Sequence, residues 1–268
     1  MIQDIKPHVF HNEYRPVPPK KGDYVFCYDG NNVLMRNEHE FYKYEDMPTS
    51  TELTFLFTID DTSFYFAPCP DTNAVSLNTY NLRFYYPREL AFAAITGWQI
   101  YTWMNINTYC GKCGALMERD NRERAMRCPH CGNLVYPRIM PAVIVGVVNE
   151  KDQLLVTKYA HGRYQKYALV AGYNEIGETI EETCRREVKE ETGLDVDSLT
   201  YYGSQPWGFT STLLFGFFAK VKGSDDIMMD ENELRLARWA SRDETIETGG
   251  DASLTSEMIN YFMKGYKR

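Results

Sequence analysis

The sequence predicts an α/β protein built from more than one module. Three observations carry that reading. Short strand-like apolar runs separated by turn residues fill roughly the first hundred positions. A polar segment marked by four cysteines follows, and beyond it buried-strand runs alternate with a glutamate-rich stretch of helical character. The length of 268 residues suits about two domains and one small module more, with boundaries expected at 1–105, 106–137 and 138–268.

Composition narrows the class. Hydrophobic content of 44% with 25% charged residues is a globular balance and argues against disorder. A formal charge of −8 argues against nucleic-acid binding by bulk charge. The start, MIQDIKPHVF, lacks a basic stretch followed by an apolar one, so no secretory signal is read there. The runs AVIVGVV (142–148) and LLFGFF (213–218) are far too short to span a bilayer. A soluble, cytoplasmic protein without membrane contact is expected, its seven cysteines reduced or bound to metal.

The elements follow in order. DYVFCYDGNNVLMR places two apolar runs around Asp29–Asn32 and predicts a hairpin, and LTFLFTIDDTSFYFAP repeats the pattern around Asp60 and Asp61. After Pro87, apolar Leu90, Ala94, Trp98 and Tyr101 recur at helical spacing. These features make the N-terminal module α+β. His8, His11 and His39 are not spaced as a metal site and are expected at the surface. Downstream, AVIVGVV, LLVTKY and the regions 200–222 and 234–240 read as strands, with Trp239 in the core. The tail SLTSEMINYFMKGYKR reads as a helix with a basic end.

Cys110, Cys113, Cys128 and Cys131 form two CxxC pairs fourteen residues apart, each followed by glycine. A two-residue spacer lets both thiolates of one turn face a tetrahedral ion, and two such turns supply four sulfurs at about 2.3 Å from Zn²⁺. Two disulfides or a redox CxxC are the rival readings, and a reducing compartment disfavours the first. A closed four-sulfur site leaves no open position, so this zinc is structural. His130 lies between two ligands and is not expected to join them; Cys27, Cys69 and Cys184 are expected as small buried thiols.

The stretch GYNEIGETIEETCRREVKEETGL, residues 172–194, carries six glutamates between Glu178 and Glu191. Like charges three or four positions apart cost about 0.2–0.5 kcal/mol per pair, a cost that a bound cation offsets. Thr179 and Glu182 predict a capping box, Gly193 a helix end, and Ile180, Cys184 and Val188 a core stripe. Glu187, Glu190 and Glu191 then fall within an arc of about 100°, an oxygen-rich site for Mg²⁺ or Mn²⁺. Arg186 faces Glu190 one turn on. A solvated charged face is the plain alternative.

The pattern from Gly172 through Glu178 to Arg186-Glu187-Val188-Lys189-Glu190-Glu191-Thr192-Gly193-Leu194 matches the Nudix hydrolase box at its fixed positions. The four cysteines upstream, the YPRIMP segment (136–141) and Ser204-Gln205-Pro206-Trp207-Gly208-Phe209-Thr210-Ser211-Thr212 resemble the NADH pyrophosphatase branch. The resemblance covers roughly residues 90–240. It implies a Nudix α/β/α sandwich preceded by a zinc ribbon, and hydrolysis of NAD or NADH to AMP and nicotinamide mononucleotide. It also implies that Glu187, Glu190, Glu191, Glu233 and the Ala171 carbonyl hold Mg²⁺ or Mn²⁺, with Glu178 a supporting carboxylate and Glu233 a metal ligand or base. Adenine would stack between Tyr136 and Tyr173, and Glu123, Gln205, Trp207, Phe209 and Thr212 would line the substrate with Pro206, Gly208, Thr210 and Ser211. A homodimer is implied on the same ground. Gly208 and Thr210 replace two prolines of the signature and Thr212 its last serine, so the loop is expected to be looser. That departure keeps open ADP-ribose, another nucleotide diphosphate or the NAD cap of RNA as substrate. A sensor that binds nucleotide without cleaving it is the reading from another class.

Overall fold

The computed structural model describes residues 1–162 and 164–265. Backbone contacts divide the chain into two compact units, one made of Ile2–Arg138 with Gly208–Ser211, the other of Met1, Ile139–Trp207 and the segment from Thr212 onward.

The first unit opens with strands β1 (Phe10–His11), β2 (Tyr24–Asp29), β3 (Asn32–Met35), β4 (Tyr42–Lys43), β5 (Thr54–Ile59), β6 (Thr62–Phe66) and β7 (Val75–Asn78). They pair in the order β1-β5-β6-β2-β3-β7, with β4 also on β2. Both expected hairpins form, β2–β3 around Gly30 at φ 54° and β5–β6 around Asp60 at φ 52°. Helix α1 (Arg88–Ile106) follows Pro87 and packs on β2, β5 and β6. Its buried face is wider than the expected stripe. Ala91–Ile95, Gly97, Ile100 and Trp103 are buried, whereas Leu90, Trp98 and Tyr101 are half-buried. Gly97 explains the close fit, since a Cβ there would stand 2.5 Å from the Tyr28 hydroxyl, which donates to the Ala94 carbonyl at 2.7 Å. The cysteine segment adds a small sheet, β8 (Glu118–Arg119), β9 (Met126–Arg127) and β10 (Leu134–Val135), ordered β10-β9-β8.

The second unit is a mixed sheet between two helices. Its elements are β11 (Met140–Val148), β12 (Leu154–Tyr159), β13 (Val170–Tyr173), α2 (Ile180–Thr192), β14 (Val196–Trp207), β15 (Thr212–Val221), β16 (Leu234–Ala240) and α3 (Leu254–Met263). The strand order is β14-β15-β11-β12-β16, with β13 on β11 and only the β11–β15 pair parallel. The period of two divides β11 between two cores. Val143, Val145 and Val147 face Cys184 and Val188 of α2, while Ile144 faces Leu254, Met258 and Ile259 of α3. Burial on both faces is why this strand is a continuous apolar run without polar alternation. Trp239 packs at the α2-side core and donates to the Asp225 carbonyl at 2.9 Å. The basic end expected for the tail, 266–268, lies outside the described residues. Among the described residues no helix is long and apolar enough to cross a membrane.

Candidate active site

Helix α2 forms as its termini direct. The Thr179 hydroxyl accepts from Glu182 N at 3.2 Å, and the Glu182 carboxylate accepts from Thr179 N at 2.8 Å, closing the capping box. Gly193 ends the helix at φ 72°, where a glycine costs little. Cys184 and Val188 are fully buried and anchor one face. That docking draws the neighbouring acids inward: Glu187 and Glu191 are 8% and 2% exposed, while Glu190 stays at the surface.

Strand β13 receives these two carboxyls. A Cβ on Gly172 would lie 2.0 Å from the Glu187 carboxyl carbon, so only glycine leaves room for it. Ala171 N donates to Glu191 Oε1 at 3.4 Å, but Glu191 Oε2 is buried with no partner among the described residues. Burial is the main cause that pushes the Glu191 carboxyl up to about 8, and Glu187, Glu233 and Asp230 add to it. Burial also raises Glu187, against the opposing pull of Arg186. Buried polar atoms are rarely left orphaned, and one inside an acid cluster has the chemistry of a hard-cation site.

Arg186 holds much of the cluster's shape. It donates to Glu178 at 2.6 and 2.9 Å, to Glu187 at 2.7 Å, to Glu190 at 2.9 Å and to the Tyr173 carbonyl at 2.9 Å. The expected Glu190 contact is therefore one of four. Glu178 also accepts from Glu175 N and the Thr183 hydroxyl, and the Arg186 bond leads the causes that bring it down to about 2. Glu178 is thus bound within the frame that Arg186 holds.

Glu233 reaches the cluster through a loop fastened to the end of α2. Met228 N and Asp230 N donate to the Thr192 and Glu191 carbonyls, each at 2.9 Å, satisfying two acceptors that a helix end leaves open. The Glu233 carbonyl accepts from Ala160 N at 2.8 Å, and its carboxylate is close enough to raise both Glu187 and Glu191.

The 204–212 segment spans both units. Trp207 pairs with Thr212 at the base of the β14–β15 hairpin, and the half-exposed Tyr173 lies on the same sheet with its hydroxyl 3.4 Å from Thr212 Oγ1. Pro206 and Thr210 are exposed, and Phe209 and Ser211 are half-buried. Gln205 departs from a substrate-lining position. It is 0% exposed, donates to the Ala252 carbonyl at 2.9 Å and accepts from Leu254 N at 2.7 Å, so its amide holds the approach to α3. The turn is packed and not loose. A Cβ on Gly208 would stand 3.1 Å from the Ile95 carbonyl oxygen, and Arg83 lies 5.9 Å from the Phe209 ring. In the first unit, Tyr136 donates to Glu123 Oε2 at 2.8 Å and remains half-exposed.

Four sulfurs close a separate site. Cys110 and Cys131 Sγ are 3.6 Å apart, Cys113 and Cys128 Sγ 3.5 Å, and all four lie within 4.8 Å of one another. Sulfurs at about 2.3 Å around a tetrahedral zinc stand about 3.8 Å apart, so the donor set fits. The two turns are alike: Gly114 N donates to the Cys110 carbonyl and Gly132 N to that of Cys128, with both glycines near φ 73°. Backbone N–H of Lys112, foremost, draws the Cys110 thiol down to about 6, and Asn133 Nδ2 lies 3.7 Å from its sulfur.

Comparison with known proteins follows this geometry. The family model described as the NUDIX domain matches residues 138–261, and that of the NADH pyrophosphatase zinc ribbon domain matches 107–136, directly before it. The chain carries a Nudix domain behind an NADH pyrophosphatase zinc ribbon. Similar curated proteins include the NAD-capped RNA hydrolase NudC of Pseudomonas aeruginosa, 36% identical over 62% of this chain and 59% of that one. Those of Vibrio atlanticus (40% identical, 49% and 48% covered) and Haemophilus influenzae (38% identical, 56% and 57% covered) carry the same name. The chain thus matches between 48% and 59% of these relatives' length.

Within this Nudix chain Arg186 joins Glu178, Glu187 and Glu190, Glu191 meets the Ala171 backbone, and Glu233 lies within electrostatic reach of Glu187 and Glu191. The fold places Glu123 and Tyr136 together in the first unit and Tyr173, Trp207 and Thr212 together in the second. Two contributors had only faint sequence signals. Gly172 marks the start of the box in the sequence, and its physical part, the room it leaves for Glu187, is visible only in the fold. Asp230 was one acid among several in a loop until its backbone bond to Glu191 placed it.

Proposed function

We propose that the protein hydrolyses the pyrophosphate bond of NAD(H), giving AMP and nicotinamide mononucleotide, with Mg²⁺ or Mn²⁺ bound among Glu187, Glu190, Glu191, Glu233 and the Ala171 carbonyl. The observation that carries this reading is the buried, unpartnered Glu191 Oε2 beside Glu187 and Glu233. A carboxylate costs free energy to bury without a compensating cation. Bound divalent ions neutralise diphosphate oxygens and acidify water. The chain's own part is positional. Arg186 fixes the Glu187 and Glu190 carboxylates, Gly172 admits Glu187 to the site, and Glu233 stands available as ligand or base. Half-exposed Tyr173, on the same sheet as Trp207 and Thr212, offers an aromatic face for adenine. Cys110, Cys113, Cys128 and Cys131 hold structural zinc.

The names of the relatives favour a second substrate, the NAD cap of RNA, cleaved at the same bond. A homodimer belongs to the same reading, and light scattering after size exclusion should give twice 31.2 kDa, a single-chain mass contradicting it. Incubation with NADH, NAD, ADP-ribose and NAD-capped RNA in Mg²⁺ or Mn²⁺, with products resolved by mass, tests the proposal. Release of AMP from NAD(H) supports it, and no cleavage of any dinucleotide overturns it.

A further inference from the structure

One aromatic side chain at the acid cluster has no part in the box. Tyr159 is the last residue of β12 and sits where the β12–β16 register shifts, opposite Leu234. The next residue, Ala160, donates its N–H to the Glu233 carbonyl at 2.8 Å, so Tyr159 is fixed directly beside the loop that delivers Glu233. Strand alternation puts Tyr159 on the face of Leu155, which belongs to the core under Cys184 and Val188 of α2. The Glu233 loop also donates from Asp230 N to the Glu191 carbonyl, so half-buried Tyr159 lies beside the segment that ties the end of β12 to the Glu191 end of α2. Electrostatics agree: after burial, Glu191, Tyr164 and Glu233 are the groups that hold its hydroxyl above the usual tyrosine range. Among the described residues that hydroxyl has no hydrogen-bond partner.

We propose that Tyr159 is a catalytic hydrogen-bond donor, its hydroxyl bonding to an oxygen of the diphosphate as that group is cleaved. The inference rests on the function proposed above and adds a residue to it. A site framed by carboxylates has few protein groups that can approach a phosphate oxygen without repulsion. A neutral phenol can, because it donates and carries no charge. In the reaction the water oxygen bonds to phosphorus and passes its proton to a carboxylate base such as Glu233, the bridging P–O bond breaks, and its electron pair leaves with the departing phosphate. Tyr159 keeps its proton and stabilises the charge that grows on the oxygens.

The test compares Tyr159→Phe and Tyr159→His with the wild type, using NADH and Mn²⁺. Removing one such donor lowers kcat by about 10²–10³-fold in buried oxyanion sites, and a half-buried donor is expected to give a loss of about 10–100-fold. KM and calorimetric Mn²⁺ affinity should change less than about threefold, and Tm should stay within about 4 °C, a shift worth roughly 1 kcal/mol. The histidine variant keeps a donor and should recover part of the lost kcat. Wild-type kcat in the phenylalanine variant, or equal losses in both variants, would overturn the role of Tyr159 and leave the proposed function standing. An inactive wild type would remove both. If the phenylalanine variant fails to fold, the histidine variant alone decides: a loss of more than about 100-fold in kcat at unchanged Tm contradicts donation.

Discussion

Gly172 and the carboxyl of Glu187 occupy adjoining space so closely that a methyl group on the glycine would lie 2.0 Å from the Glu187 carboxyl carbon. The strand residue therefore sets where the helix residue can point. Gly172→Ala should displace Glu187 and lower kcat/KM by about 10²-fold, as a displacement near 1 Å can do. Overpacking should reduce stability by about 1–3 kcal/mol, read from denaturant unfolding. Wild-type activity in this variant would show that the Glu187 position is not needed.

Arg186 should resist conservative replacement. Its planar fork serves Glu178, Glu187, Glu190 and the Tyr173 carbonyl together, which an ammonium cannot reproduce. Arg186→Lys is expected to lose most of the activity, about tenfold or more, and to weaken Mn²⁺ binding measured by calorimetry, because three carboxylates lose their orientation. A lysine variant with native metal affinity would refute this.

Metal-free Glu191 gives a pH signature of definite sign. Its carboxyl rises from an ordinary 4.5 to about 8 in the folded protein, chiefly through burial. The folded state then binds the proton more tightly than the unfolded chain, so this group favours folding below pH 4.5 and loses that contribution as pH climbs to about 8. Without metal, Glu191→Gln should be more stable than wild type above pH 8, by up to a few kcal/mol, with the gap closing below pH 4.5. Chemical denaturation in EDTA across pH 4–9 measures it. Glu178 has the opposite sign: paired with Arg186 and held at about 2, it stabilises above pH 4.5 and loses that effect as acid approaches pH 2.

The cysteine site should hold one zinc per chain, counted by mass spectrometry of metals. Cys128→Ser should abolish that zinc and destabilise the first unit, since metal binding contributes directly to folding in such sites. Retention of zinc in the serine variant would exclude the four-sulfur set.

Local signals account for what the sequence made legible. Thr179, Glu182 and Gly193 bound α2 through backbone chemistry that operates within a few residues, and the CxxC pairs carry their geometry in their spacing. The apolar run of β11 and the two hairpins are equally local. What was not legible depends on distant partners. Gln205 read as a substrate contact because its neighbours form a signature, but Ala252 and Leu254, some fifty positions on, claim its amide. The Gly208 turn read as loose because proline was missing, yet the absent Cβ is what lets it lie against Ile95. Helix α1 buried more than one stripe because it packs on β2, β5 and β6 together.

The central claim is that the acids of α2 are gathered to hold divalent ions on a diphosphate. The most direct measurement is mass-resolved product release from NADH, with and without Mn²⁺, by the wild type and by Glu191→Gln. AMP and reduced nicotinamide mononucleotide should appear only with metal and fall by at least about a hundredfold in the variant. Equal product formation with and without metal, or equal activity in both proteins, would contradict the claim.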